Sequence, residues 1–506
     1  MAGLVGLARE KKDIGSEQLT LVDIVDGQQR LTTLILILRA LANTLPESDE
    51  DRRDLERLLV KRDKTHLVLL QTNHDKSNVF VDYLRHGKIP QQAADLLAEQ
   101  KLVAAIHDCE EFVQTWPDTT AKPLQELYIT LKHRLTMIFH QIEDEKVVYT
   151  VFEVLNSRGL DVAWLDKFKS SLMGKAFELE ETLDSRRGTI DELHRRWGSI
   201  YGAIGSNQTL LRDALRFLGT LESREPLKHF LKEEGAAANL VLKYGRSLIE
   251  LVKCSKLLDD ALCAEKKFLG YWEAAGALEQ GHARLVGTAI IMRGFEESVE
   301  LDLVTCLSRT TFGVYSLISQ DARKGVGEYV RLSWDIHNSK LNAKQIKARL
   351  KAMKAVVTEH RIRRALKNSD RYGSWSKELR YLLYEYEKHL CEEAGEKLKR
   401  NQWDRIFAED PANSIEHILP QSRAHQRSES ANVYVHRLGN LTLLTPTLNS
   451  SLQDKLPKDK KTAYAESGLR INSEVARSLE EGRWNKAAVE ERERKIVDWA
   501  AKLWAA

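Results

Sequence analysis

Proline is scarce in this chain, with nine in 506 residues. Alongside abundant Leu, Ala, Lys, Glu and Arg, that scarcity favours helix, because proline removes a backbone donor and breaks helix interiors. Cysteine is scarce too. Cys109, Cys254, Cys263, Cys306 and Cys391 are odd in number and form no Cys-x-x-Cys pair, which argues against a disulfide framework or a zinc ribbon. Long apolar runs are missing. The most apolar early run, residues 31–38, stops at Arg39, well short of the ~20 residues that a membrane span requires. The opening MAGLVGLAREKKD lacks the apolar core of a signal peptide. The expected location is the cytoplasm, with no membrane partner. An excess of one charge sign is also missing: 77 Lys and Arg face 74 Asp and Glu, for a net charge of +3. A balance this close to neutral neither demands nor excludes nucleic acid; what matters is where the positive charge lies.

What is present is a soluble-type composition with 30% charged residues, slightly above the usual ~25%. At ~150 residues per domain, a chain of this length is expected to hold about three units. Residues 18–25 (QLTLVDIV) alternate and are rich in β-branched side chains, which predicts a strand. Asp26-Gly27 breaks it. Leu31, Leu34, Ile35, Leu38 and Leu41 then recur at helical spacing. A second unit, residues 147–174, reads as an apolar segment, a loop at 156–159 and a helix. Residues 175–400 are helix-patterned almost throughout. Within them, residues 340–371 carry eleven Lys or Arg against Glu359 and Asp370, a local imbalance that predicts a positive face for DNA. After the helix expected at 380–390 the texture changes: short strands are expected at 414–419 and 441–444, and a helix from Thr447.

The C-terminal segment carries the sharpest chemistry: SIEHILPQ (414–421), HRLGNLTLL (436–444) and TPTLNSSLQDKLPKDKK (445–461). Phosphodiester hydrolysis needs a group that takes a proton from water and a cation that stabilises the charge developing on oxygen. A neutral histidine is the natural base at cellular pH. A neighbouring carboxylate offers a hard oxygen to a divalent ion, and an Asn on a following helix offers a second. A lone Glu-His pair is ordinary, and Asn after Gly is an ordinary turn. The signal lies in the conjunction, in order and at short spacing. His425 and His436 read as ordinary surface histidines.

These residues resemble the His-Me finger domain at the C-terminus of the GmrSD-type restriction endonucleases, over roughly residues 375–495. The resemblance implies a ββα-metal (HNH) nuclease domain in which His417 is the general base and Glu416 and Asn449 hold Mg²⁺ (or Mn²⁺). It implies that Asn440, counted with His417 as catalytic, orients the His417 region through backbone hydrogen bonds. Lys455 and Lys461 are the expected phosphate contacts, and double-stranded DNA, modified or not, is the expected partner.

A second motif is IVDGQQRLTTL (24–34). A helix N-terminus presents unpaired amides and a positive dipole end, which suit phosphate. Arg30 adds a bidentate donor, and Thr32 and Thr33 add hydroxyls. A plain strand–turn–helix with an Arg30–Asp26 ion pair explains the same residues. The string also resembles the Asp-Gly-Gln-Gln-Arg motif of the GmrSD N-terminal domain, a ParB-like fold linked to nucleotide binding and hydrolysis. Asn156, Arg158, Gly159, Asp166 and Lys169 match a second stretch of that domain. The resemblance implies a nucleoside triphosphate bound by Asp26, Gly27, Gln28, Gln29, Arg30, Asn156 and Arg158. Family members usually carry a Tyr-Gln-Arg segment upstream. Residues 1–17 hold nothing similar, so the N-terminal module is expected to be partial, and nucleotide hydrolysis to suffer more than DNA cleavage.

The expected architecture is therefore α+β and mostly helical: a partial ParB-like module at 1–175, a helical connecting region at 176–374 and an HNH nuclease at 375–506. Two other functions fit parts of the pattern: a non-catalytic regulatory DNA-binding protein and an RNA-cleaving toxin.

Overall fold

The computed structural model describes residues 2–14, 17–60, 79–89, 97–143, 164–179, 183–204, 207–367, 372–373, 375–422, 434–481 and 484–505. It is mostly helical with small sheets. Two compact units form. One comprises residues 1–208 with 241–255, the other 209–240 with 256–506, so the connecting region expected at 176–374 is divided between them. Among the described residues, no helix is long and apolar enough to cross a membrane.

The first unit is built on a three-stranded sheet of order β2-β1-β3. Strand β1 (Ala2–Ile14) runs antiparallel to β2 (Glu17–Asp26) and parallel to β3 (Met137–Ile142). The sequence reading anticipates β2 but neither of its companions. Strand β2 ends where expected, because Gly27 turns the chain at φ +87°, a backbone conformation that side chains with a Cβ disfavour. The helix Gln28–Thr44 follows directly. Its Leu36, Ala40 and Leu41 are buried, and it packs on the helices Glu50–Leu59 and Leu97–Thr120.

The second unit has an aromatic centre. Phe312 lies 4.9 Å from Tyr381, 5.1 Å from Trp504 and 5.9 Å from Trp375, ring to ring. Tyr381 belongs to the helix Ser376–Glu393, and Trp504 ends the helix Lys486–Trp504. These two helices join the helical layers before residue 366 to the C-terminal hairpin, and Ile415, Leu441 and Leu443 of that hairpin enter the same core. A smaller core around Ile418, Leu419, Leu444, Tyr464 and Trp484 closes over the hairpin from another side. Polar anchors set its position. The buried Glu387 carboxylate accepts the backbone N–H groups of Arg470 and Ile471 at 2.9 and 2.6 Å. It thereby caps the otherwise unpaired start of the helix Arg470–Glu481. From that helix, Asn472 Nδ2 donates to Leu443 O at 2.8 Å.

One buried histidine gives this unit a pH dependence. His282 sits between the rings of Tyr329 and Tyr315, at 4.7 and 5.1 Å, and its Nε2 meets no hydrogen-bond partner among the described residues. Burial lowers its pKa from 6.5 to about 4. The unfolded chain therefore binds this proton more readily than the folded one. The stability it contributes is full above pH 6.5 and falls as pH drops towards 4. From pH 7 to pH 5 the expected loss from His282 is about 2 kcal/mol. In denaturant titrations, His282→Phe should show a pH slope shallower than wild type by that amount. An unchanged slope would remove His282 from the explanation.

Candidate active site

The site begins with a two-stranded hairpin. Strand β4 (Ile415–His417) pairs antiparallel with β5 (Leu441–Leu443), with Glu416 opposite Thr442 and His417 opposite Leu441. The helix Pro446–Leu452 follows and carries Asn449. Asn449 Nδ2 donates to Asn413 O at 2.8 Å, which ties that helix to the approach to β4. Glu416, His417 and Asn449 line one cavity of about 350 Å³, with Tyr372, Gln421 and Asp454 also in its wall. Asn440 is fully buried and is not among the lining residues.

Asn440 acts as a four-way brace. Its Oδ1 accepts from Leu419 N and from Trp484 Nε1, both at 2.9 Å. Its Nδ2 donates to Val435 O at 2.8 Å and to Leu419 O at 3.1 Å. The chain leaving β4 is thus fixed to the chain entering β5. The preceding Gly439 is required for a different reason. A Cβ there would lie 2.0 Å from Val489 O and 2.9 Å from Glu493 N, backbone atoms of the long C-terminal helix that cannot yield. Arg492 of that helix donates to Gly439 O and Leu441 O at 2.9 and 2.7 Å.

His417 is buried, and burial, with His436 and Lys460 adding to it, lowers its pKa to about 3. Its imidazole is therefore neutral at cellular pH, with a lone pair to offer. Glu416 sits in a buried polar cluster. Lys460 Nζ donates to Glu416 Oε1 at 2.6 Å and to His417 O at 2.9 Å, and Tyr464 OH donates to the same Oε1 at 3.0 Å. Burial raises the pKa of Glu416 and lowers that of Lys460, and their mutual attraction opposes both shifts. Among the described residues, no three His, Cys, Asp or Glu side chains gather as a metal-holding group. The hard oxygens lining the cavity come instead from two carboxylates, Glu416 and Asp454, and from side-chain amides that include Asn449. That donor set suits an ion such as Mg²⁺, which keeps several of its waters.

Two family models match the chain: the GmrSD restriction endonuclease N-terminal domain over residues 9–173 and the GmrSD restriction endonuclease C-terminal domain over residues 356–499. The chain belongs to the GmrSD restriction endonucleases. It is accordingly a DNA endonuclease of restriction defence. No curated protein matches it. The C-terminal match contains Glu416, His417, Asn440 and Asn449; the N-terminal match contains residues 26–30, Asn156 and Arg158.

The remaining predicted residues of this GmrSD chain fall as follows. Gln28, Gln29 and Arg30 are exposed at the start of their helix, beside the buried Gly27, and Asp26 closes β2 opposite Val5. Asn156, Arg158 and Gly159 lie outside the described residues. Asp166 and Lys169 lie in the helix Trp164–Glu178, with the Lys169 ammonium 5.5 Å from the Tyr201 ring. Lys455 is exposed, whereas Lys461 is 2.9 Å from Glu480 Oε1. In the basic stretch, Lys347 pairs with Asp302, Arg349 with Asp335, and Arg363 with Asp498. Lys344, Lys351, Arg364 and Lys367 stay exposed there. His425 lies outside the described residues. The reading of His436 as a surface histidine is corrected: it is half-buried, and its Nδ1 lies 3.1 Å from His417 Nε2. Sequence reasoning also passed over Lys460. A signal was available, because Pro457, Lys460 and Tyr464 share one helix face and all three are buried.

Proposed function

We propose that the chain is a metal-dependent endonuclease of the HNH (His-Me finger) type that hydrolyses double-stranded DNA in the cytoplasm. The reading is carried by one observation: a buried His417 shares a cavity with the Glu416 carboxylate and the Asn449 amide. His417 takes a proton from water, and the water oxygen forms the new bond to phosphorus. The bond from phosphorus to the leaving ester oxygen breaks, and that oxygen takes up a proton from solvent. Glu416 and Asn449 would hold Mg²⁺ or Mn²⁺, which when bound would supply charge stabilisation on the phosphate oxygens. Lys460 and Tyr464 fix the orientation of the Glu416 carboxylate. Lys455, exposed beside the cavity-lining Asp454, is a phosphate contact. Lys461 plays that role only by leaving Glu480. The exposed Lys344, Lys351, Arg364 and Lys367 extend the basic surface offered to DNA.

The N-terminal module belongs to the same proposal as a ParB-like nucleotide sensor. The phosphates of a nucleoside triphosphate meet the helix N-terminus at Gln28, with Gln29, Arg30 and the Asp26-Gly27 turn beside it. Asn156 and Arg158 complete the set by resemblance. The DNA recognised is foreign DNA, including DNA with modified bases or backbone.

The test is nicking of supercoiled plasmid by the full chain across a titration of Mg²⁺ and Mn²⁺, with an RNA substrate alongside. Metal-dependent DNA nicking that a chelator stops is expected. Cleavage of RNA alone would favour the toxin reading, and DNA binding without cleavage the regulatory one. Glu416→Gln is the informative metal variant, because Glu416→Ala would leave Lys460 buried without its partner, a change that typically costs ~3–5 kcal/mol. Glu416→Gln keeps an acceptor oxygen but removes a charge. The metal concentration for half-maximal nicking should rise at least ~10–100-fold, the cost typical of losing even a supporting partner of a metal site. Activity should return in part at high metal. An unshifted metal titration would take Glu416 out of the ion's coordination.

A further inference from the structure

A second histidine completes the hydrogen bonding of the first. His417 Nε2 and His436 Nδ1 are 3.1 Å apart. Tyr372 holds both rings: it stacks on His436 at 5.5 Å and 12°, and meets His417 edge-on at 4.4 Å and 70°. Imidazoles joined through one nitrogen each place a single proton along that line, so one ring donates and the other accepts. If His436 donates, the neutral His417 carries its own proton on Nδ1, and its only lone pair is consumed by the contact. If His417 donates from Nε2, its Nδ1 keeps a free lone pair. The Gln421 amide nitrogen lies 3.3 Å from both ring nitrogens of His417 and so favours neither form.

Resting on the nuclease reading above, we propose that His436 is a positioning residue: it accepts the Nε2–H of His417 and so holds that imidazole in the tautomer whose Nδ1 is free to take a proton from water. Tyr372 keeps the His436 ring in place for this. When water gives its proton to Nδ1, His417 becomes an imidazolium, and its Nε2–H bond to His436 becomes charge-assisted and stronger. The contact therefore stabilises the transition state more than the bound substrate, and its loss belongs in kcat rather than in KM.

Three variants separate this role from simple packing. His436→Phe keeps a ring against Tyr372 but has no acceptor. His436→Asn places a carbonyl oxygen near the Nδ1 position. His436→Gln, equally polar, carries its amide further out. His436→Phe and His436→Gln should lower kcat for plasmid nicking by ~10–100-fold, by analogy with the outer hydrogen-bond partners of metal-site residues, with KM changed less than about twofold. His436→Asn should recover most of that loss, at melting midpoints matching wild type. If His436→Phe does not fold, the Asn and Gln pair still decides. Equal loss in the Asn and Gln variants, loss confined to KM, or full activity in His436→Phe would each overturn the inference. His417→Ala tells the two failures apart. If it is inactive while His436→Phe is fully active, only the role of His436 falls. If it is fully active, the nuclease reading falls and takes this inference with it.

Discussion

Replacing His417 with alanine is expected to reduce plasmid nicking by ~10²–10⁴-fold, the usual worth of a general base, while circular dichroism and DNA binding stay close to wild type. The backbone of β4 does not depend on the imidazole, because its ladder runs through Ile415 and Leu443, Glu416 and Thr442, and His417 and Leu441. The ring lies among Tyr372, His436 and Gln421 at the cavity wall, so its removal enlarges a cavity and leaves the two hydrophobic cores untouched. Metal excess should not restore activity, since an ion cannot replace a missing proton acceptor in the tautomer that His417 provides. This separates His417→Ala from Glu416→Gln, where added metal should help. The pH profile follows from the same environment. With its pKa lowered to about 3 by burial, His417 keeps its lone pair down to mildly acid pH, and nicking should not fall off near pH 6.5 on its account. Full activity in a folded His417→Ala chain would refute the mechanism and favour a DNA-binding protein without catalysis.

The parts of this site that could be read from sequence are those close together along the chain. Glu416-His417, the Leu438-Gly439-Asn440-Leu441 turn and Asn449 fall within 34 positions, and each residue type has a chemical reason to stand where it does. The strand–turn–helix at residues 18–44 was legible for the same reason: alternation, an Asp-Gly break and helical spacing are local signals. Strand β1 was not legible, because Gly3 and Gly6 interrupt its apolar alternation and a charged run, AREKKD, follows. It pairs antiparallel with β2, its neighbour along the chain, and parallel with β3, over a hundred residues away. The supporting residues of the site are distant in the same sense. Lys460 and Tyr464 reach Glu416 from 44 and 48 positions on, and Trp484 reaches Asn440 from 44. In a segment as charged as PKDKKTAYAE, any lysine reads as a surface lysine. Only helix phase, set by Pro457 and Tyr464, marks Lys460 as the one that turns inward while Lys461 meets Glu480.

The Asn440 brace should give the largest stability effect. Asn440→Ala strands four buried partners at once: Leu419 N, Leu419 O, Val435 O and Trp484 Nε1. Each unpaired buried group costs ~1–3 kcal/mol. Some of that is recovered as the turn relaxes, so a net loss of about 3–5 kcal/mol is expected, near the upper end for single substitutions. Asn440→Asp should fare no better. Its carboxylate can still accept from Leu419 N and Trp484 Nε1, but it has no donor for the two carbonyls and brings a buried charge against them. Relaxation is limited because Gly439 is held against the backbone of the helix Lys486–Trp504, so the turn cannot simply shift to meet water. The measurement is the denaturant midpoint of the C-terminal unit, followed by tryptophan fluorescence, together with nicking per folded molecule at low temperature. A brace predicts a lower midpoint for both variants, with near-normal nicking in the fraction that stays folded. A variant of unchanged midpoint that has lost nicking would instead make Asn440 a group acting in the reaction, and its burial behind the cavity wall would then need a different explanation.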